Sequence, residues 1–162
     1  MKIIIGADPG GYELKEAIKK HLTAEGGLLS PEDIKDVGVN YLPTGEMMDP
    51  NQRHYPLVAE KAALEVAAGN YDFGILICGT GIGIGMAANK IPGIRAATVH
   101  NHYEARYTRL HNNANILCLG GRVIGSELAF ELVDLFLTTE PEGGRHALRV
   151  DMIRELETKY HR

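Results

Sequence analysis

Short aliphatic runs alternate with stretches in which apolar residues return every three or four positions, and this continues along the whole 162-residue chain. Residues 2–5, 34–37, 73–77, 95–99 and 116–119 are apolar at most positions. Strands read this way when helices cover both faces of their sheet. Residues 11–24, 57–68, 82–89, 102–110, 125–137 and 145–159 carry the helical period instead. The alternation predicts successive βαβ units with right-handed crossovers. The expected fold class is therefore α/β: a doubly wound, five-stranded parallel sheet in a flavodoxin-like (Rossmann-type) three-layer sandwich, one domain spanning residues 1–162.

In such sheets ligands lie outside the carboxyl ends of the strands, which says where to look for chemistry. The segments that follow the strands are Gly6-Ala-Asp-Pro-Gly-Gly11, residues 38–56, residues 78–85, His100-Asn-His102 and Gly120-Gly-Arg122. Residues 40–56 are rich in Pro, Gly and polar side chains and are long for a strand-to-helix connection. They read as a binding loop.

Cys78 ends the third strand and is followed by Gly79, Thr80, Gly81, Gly83 and Gly85. A sulfur at a helix N-terminus lies among free backbone N–H groups, which favour the thiolate; the plainer alternative is a small buried residue closing a strand. Glycines here let the backbone approach a ligand closely enough to stabilise a developing oxyanion, and Thr80 adds a hydroxyl. For Gly85, tight helix-strand packing is an equally good explanation. Gly83, Gly85 and Ala88 imitate a dinucleotide fingerprint, but they fall after the turn. The next strand also ends in Thr98-Val-His-Asn101 without a ribose-binding carboxylate. No Lys-Ser or Lys-Thr follows the glycines, so a Walker A loop is excluded.

Near the C-terminus, Gly143-Gly-Arg-His-Ala-Leu-Arg149 puts Arg145 and Arg149 on one helix face with His146 beside them. Two guanidinium forks at a helix start form a phosphate clamp, or else a solvated face with Asp151 and Glu155 as neighbours. Arg122, after Gly120-Gly121, is a third candidate for phosphate. His111, in His111-Asn-Asn-Ala-Asn115, is either a proton carrier or a helix C-cap group. Asp8 is either an anchor for sugar hydroxyls or a helix N-cap.

A net charge of -4 supplies no basic field for nucleic acid or an anionic membrane, so an anion must be held locally. The N-terminus enters a short strand directly, with no spanning or targeting segment, which predicts a cytoplasmic protein. The only two cysteines, Cys78 and Cys118, are then expected to remain thiols. Neither belongs to a CxxC pair, and His100, His102 and His111 have no cysteine at ligand spacing, so no metal is expected.

Taken together, these motifs resemble the family of B-type ribose-5-phosphate isomerases and galactose-6-phosphate isomerase subunits. The resemblance rests on Gly6-Ala-Asp8, Gly11-Tyr-Glu-Leu-Lys15, Tyr55-Pro56, Ile77-Cys-Gly-Thr-Gly-Ile-Gly83 and Ala87-Ala-Asn-Lys90. It continues through His111-Asn-Asn-Ala-Asn115, Gly121-Arg122 and the Gly143–Arg149 run. It implies an aldose-ketose isomerase of sugar phosphates that uses no cofactor and passes through a cis-enediolate. By the same resemblance Cys78 matches the catalytic base, Thr80 with Gly79, Gly81 and Gly83 the enediolate site, and His111 with Asn112 the ring-opening and sugar-binding pair. Asp8 and Tyr55 match sugar contacts; Arg122, Arg145 and Arg149 match phosphate contacts. The family's site is shared across a dimer interface, which implies a homodimer or homotetramer, with the last helix completing the site or the dimer.

Two positions depart from the family pattern on the substrate side. Asp8-Pro9 stands where Asp-His is common, and His54-Tyr55-Pro56 where Asp-Tyr-Pro is common; the loop before Tyr55 is also long. The default substrate pair is ribose 5-phosphate and ribulose 5-phosphate. A four-carbon or six-carbon sugar phosphate is the alternative, and a noncatalytic phosphate-ligand sensor is a reading from a different class.

Overall fold

The computed structural model describes residues 1–160; the last two positions of the expected domain lie outside the described residues. The five strands are β1 (Ile3–Ala7), β2 (Ile34–Asp36), β3 (Phe73–Cys78), β4 (Ala96–Thr98) and β5 (Ile116–Gly120). Six helices accompany them: α1 (Tyr12–Leu22), α2 (Tyr55–Ala67), α3 (Ile82–Ala88), α4 (His102–Asn112), α5 (Ser126–Thr138) and α6 (Arg145–Tyr160). Every element read from the sequence is present. The clearest boundary difference is α2, which starts at Tyr55 and not at residue 57. Pro56 fits in its first turn, where no N–H is needed.

All strand pairs are parallel and lie in the order β2-β1-β3-β5-β4. This is the doubly wound α/β class expected, with β5 inside the sheet and β4 at its edge, a swap of the last two strands of the flavodoxin order. The swap has a functional consequence, because it sets the carboxyl ends of β1, β3 and β5 side by side. Alternate residues feed two cores. Ile3, Ile5, Ile75, Ile77, Leu117 and Leu119 pack under α1, α4 and α5, while Ile4, Leu76, Cys78, Ile116 and Cys118 pack under α2 and α3. Burial of Cys118, with Cys78 nearby, pushes its thiol far above the ordinary range.

Helix α4 is capped at both ends. The Asn101 side chain accepts from the Glu104 N–H at 2.9 Å, and Asn113 closes the other end at φ 45°. Helix α6 packs on α4 and buries His146 and Val150, yet Leu148, Met152 and Leu156 remain more than half exposed. Four-residue spacing places these three on one outward strip.

Lys15 is fully buried in α1 and ties β2 to the loop that follows it. Its Nζ reaches Asp36 at 2.6 Å, the Val39 carbonyl at 2.8 Å and Asn40 Oδ1 at 3.0 Å, while Lys19 also donates to Asp36 at 2.7 Å. Burial opposes ionisation of Asp36, but the hydrogen bonds from Lys15 and Lys19 outweigh it and hold the carboxyl below its ordinary value. A depressed carboxylate stabilises the fold above its unfolded value, near 4, and that stabilisation is lost as pH falls through the folded value. Asp36→Asn is expected to cost about 3 kcal/mol at neutral pH, because Lys15 loses its buried counter-charge. Urea unfolding from pH 7 to pH 3 checks this: the gap between wild type and variant should close on the acid side.

Candidate active site

The turn after β3 is shaped by contacts that leave no room for side chains. Gly81 has φ +77°, and a Cβ there would stand 2.8 Å from the Leu119 carbonyl carbon. A Cβ at Gly121 would stand 2.6 Å from the Gly10 carbonyl oxygen. The loops after β1, β3 and β5 are therefore pressed together backbone to backbone. Cys78 is 4% exposed, and its Sγ accepts a hydrogen bond from the Gly81 N–H at 3.2 Å. Thr80 is exposed, and its Oγ1 accepts from the Ile82 N–H at 3.3 Å, which leaves the hydroxyl proton free to donate. The N–H groups of Gly79, Thr80 and Gly83 belong to the same turn and have no protein acceptor among the described residues. A thiol, a hydroxyl and unpaired N–H donors in one turn can hold a proton-transfer base beside a developing oxyanion.

Asp8 follows β1 and accepts from the Gly10 N–H at 2.9 Å, capping the short turn Pro9–Gly11. Both readings of Asp8 are compatible with this position, since its second oxygen remains available. Burial raises its carboxyl above the ordinary value; the Gly10 and Gly11 N–H groups and the Arg122 charge pull the other way. Arg122 lies across Gly79, with its Nη1 3.6 Å from where a Cβ would be. Tyr55, at the start of α2, lays its ring against Gly83, where a Cβ would meet the ring at 2.9 Å. The structure thus gathers Asp8, Tyr55, Cys78, Gly79, Thr80, Gly81, Gly83 and Arg122 at one edge of the sheet. The long loop 40–54 joins that edge, folded on itself by a Tyr41–Met47 bridge and a turn at Pro50–Arg53.

The other predicted residues lie elsewhere in the chain. Helix α4 starts near the carboxyl end of β4 and runs back, so His111 and Asn112 finish near the amino ends of the strands. Arg95, just before β4, donates to the Asn112 carbonyl at 3.2 Å. Cys78 is level with Gly120 at the far end of β5, whose first residue is Ile116. Four residues of strand separate these levels by about 13 Å. Within one chain, therefore, Cys78 is not brought together with His111, Arg145 and Arg149. The physical reason is that a crossover helix must run antiparallel to its strands.

At that second location His111 stacks on His146, with ring centroids 3.8 Å apart and planes within 2°. Glu142 Oε2 lies 3.4 Å from His111 Nε2 and 3.7 Å from His146 Nε2. Arg145 Nε donates to His146 Nε2 at 3.3 Å, which puts the His146 proton on Nδ1. Burial, then the charges of His111, Arg145 and Arg149, lower the His146 imidazole below its ordinary value despite Glu142. Arg145 and Arg149 are exposed and make no ion pair among the described residues; Asp151 pairs with Arg154. The solvated-face reading of the arginines thus finds no partners. Glu142, four residues before His146, was not singled out from the sequence, although that spacing beside a glycine pair was its signal.

The donor atoms of His111, Glu142 and His146 lie within 4.8 Å of one another. Stacked imidazoles hold their in-plane lone pairs in parallel planes that share no point, and two arginines crowd the group with positive charge. This chemistry suits proton handling beside an anion better than a divalent cation.

Comparison with known proteins gives a consistent result. Residues 3–153 match the Ribose/Galactose Isomerase family. The chain is 42% identical over 159 residues to "Ribose-5-P isomerase B" of Listeria innocua, covering 98% of this chain and 99% of that one. It is 44% identical over 140 residues to "D-erythrulose-4-phosphate isomerase 2" of Mycolicibacterium smegmatis, covering 86% of each. Among solved structures, ribose-5-phosphate isomerase B of Clostridium thermocellum superposes with TM-score 0.84 at 49% identity, over 99% of both chains. The enzyme of that name from Mycoplasma genitalium, with bound ribulose 5-phosphate, superposes with TM-score 0.82 at 38% identity, over 97% and 96% of the two chains.

Proposed function

The chain belongs to the ribose/galactose isomerase family and is a sugar-phosphate isomerase, and from that premise we propose that it interconverts ribose 5-phosphate and ribulose 5-phosphate with Cys78 as the base. The observation that carries this reading is the Cys78 turn, with its thiol, its hydroxyl and its unpaired N–H groups within a few residues. The Cys78 thiolate removes the proton from C2 of the open-chain aldose. The C–H electrons form the C1=C2 bond, and O1 takes the charge of the carbonyl. The unpaired N–H groups of Gly79, Thr80 and Gly83 stabilise that oxyanion, and the Thr80 hydroxyl relays a proton between O2 and O1. Return of the proton from sulfur to C1 completes the ketose.

Two copies of the chain assemble the site, one giving Asp8, Tyr55, Cys78, Thr80 and Arg122, the other giving His111, Asn112, Arg145 and Arg149. His111 opens the sugar ring and the arginines hold the phosphate. The separation of these sets within one chain supports this, as do the exposed Ile82 and Met86 beside the Cys78 turn and Tyr103 on α4. On this reading the enzyme works in the cytosol as a homodimer or a pair of homodimers. With an enzyme identified, the noncatalytic sensor reading is set aside.

A four-carbon substrate is the second reading. Pro9 offers no side-chain donor where the family commonly has histidine, and two relatives bear the name of an erythrulose-4-phosphate isomerase. Erythrose 4-phosphate has O4 esterified and cannot close a furanose, so ring opening by His111 would be idle. Assay of four-, five- and six-carbon aldose and ketose phosphates decides between them. The five-carbon pair is expected to give the highest kcat/KM, a higher value for erythrulose 4-phosphate would install the second reading, and no turnover with any would defeat both.

A further inference from the structure

Thr98 and Gly85 have no part in the chemistry described so far, yet they meet directly behind the catalytic turn. Thr98 is the last residue of the edge strand β4 and is half-buried, and its Oγ1 donates to the Gly81 carbonyl at 3.1 Å. The same carbonyl receives the Gly85 N–H at 3.2 Å, the first turn of α3. On its other side Gly81 gives its N–H to Cys78 Sγ, the one hydrogen bond that the thiol receives among the described residues. Gly85 is obligatory in this arrangement, since a Cβ there would stand 2.9 Å from Thr98 Oγ1.

We propose that Thr98 is a positioning residue for the isomerase reaction: by anchoring the Gly81 carbonyl, it holds the Gly81 N–H on the sulfur of Cys78. The inference rests on the reading of Cys78 as base. Gly81 is the residue most in need of an anchor, because at φ +77° and without a side chain it has several wells open to it. Its N–H and its carbonyl belong to successive peptide planes that meet at the Cα, so anchoring the carbonyl fixes the plane on one side and leaves φ of Gly81 as the rotation by which the N–H could leave the thiol. A thiolate is a better acceptor than a thiol, so the Gly81 N–H stabilises the charged form selectively. The hydroxyl of Thr98 therefore acts two bonds removed from the substrate, through the backbone.

Thr98→Val removes the hydroxyl and keeps the branched shape; Thr98→Ser keeps the hydroxyl. In the valine variant kcat is expected to fall about tenfold with KM within about twofold, the pattern of a lost transition-state interaction. The pH profile of Cys78 alkylation by iodoacetamide, followed by mass spectrometry of its peptide, is expected to move to higher pH. Thr98→Ser should restore both. A purely structural role for Thr98 would lower stability without moving the alkylation profile, and an unmoved profile in a folded Thr98→Val protein overturns the proposal. If that variant does not fold, Gly85→Ala tests the same contact from the other side: a profile moved to higher pH supports the proposal and an unmoved one overturns it. Cys78→Ser assayed in parallel keeps the two ideas apart. Full activity there removes Cys78 as base, while the alkylation profile still reports whether Thr98 governs the thiol.

Discussion

Cys78→Ser loses isomerase turnover by about a thousandfold, within the range that a positioned base contributes. The serine hydroxyl fits the same space and can accept from the Gly81 N–H, so the turn and its oxyanion donors should survive. What disappears is a group able to exist as an anion near neutral pH, since a hydroxyl does not ionise there. The loss should therefore fall on kcat, with KM little changed. Exchange of substrate carbon-bound hydrogen with solvent deuterium separates the proton-transfer step from binding: the wild type exchanges and the variant does not. Activity retained above about a tenth of wild type would assign the base elsewhere.

Mixing two inactive proteins should produce an active one. Cys78→Ser spoils the half-site at the carboxyl edge, and the double variant Arg145→Ala, Arg149→Ala spoils the half-site on α6. Within each homodimer both sites carry one damaged half. In a mixed dimer one site collects both lesions and the other collects none. Random pairing makes half of the dimers mixed, so coexpression of the two variants is expected to recover about a quarter of wild-type activity, the fraction of sites that are intact under two-fold symmetry. A site contained within one chain would recover nothing. The α6 arginines make this a demanding test, because their lesion affects phosphate binding and leaves the Cys78 turn untouched.

The strands and helices were legible because both periods are strong and because glycine and proline mark the turns. Ile3–Ala7 and Phe73–Cys78 could hardly be anything other than buried strands once helical stretches flank them. Strand order was not legible. Whether β4 or β5 lies next to β3 depends on how α4 and α5 cover the sheet, and no local pattern encodes that choice. The edge-of-sheet half of the site was readable for the same reason as the fold, since its residues follow strands directly. His111 and the arginines were recognised as chemically apt, but their distance from Cys78 was hidden because spacing along the chain carries no information about which end of the sheet a helix C-terminus reaches. Thr98 was invisible for a subtler reason: its hydroxyl acts on a backbone carbonyl, and any residue has one of those.

The two proposed half-sites share no residue, and each is built on its own elements: the loops after β1, β3 and β5 in one case, the α4–α6 corner in the other. Damage to one is therefore mechanically silent in the other. Were the gene to duplicate, one copy could lose its thiol and the other its arginines, and every surviving centre would then belong to the heteromer alone. Dependence of each copy on the other would arise by simple loss, with no new contact required. On the proposed two-copy site, a fold that separates the two ends of its reaction between opposite ends of a sheet is in this sense already prepared for division of labour between paralogues.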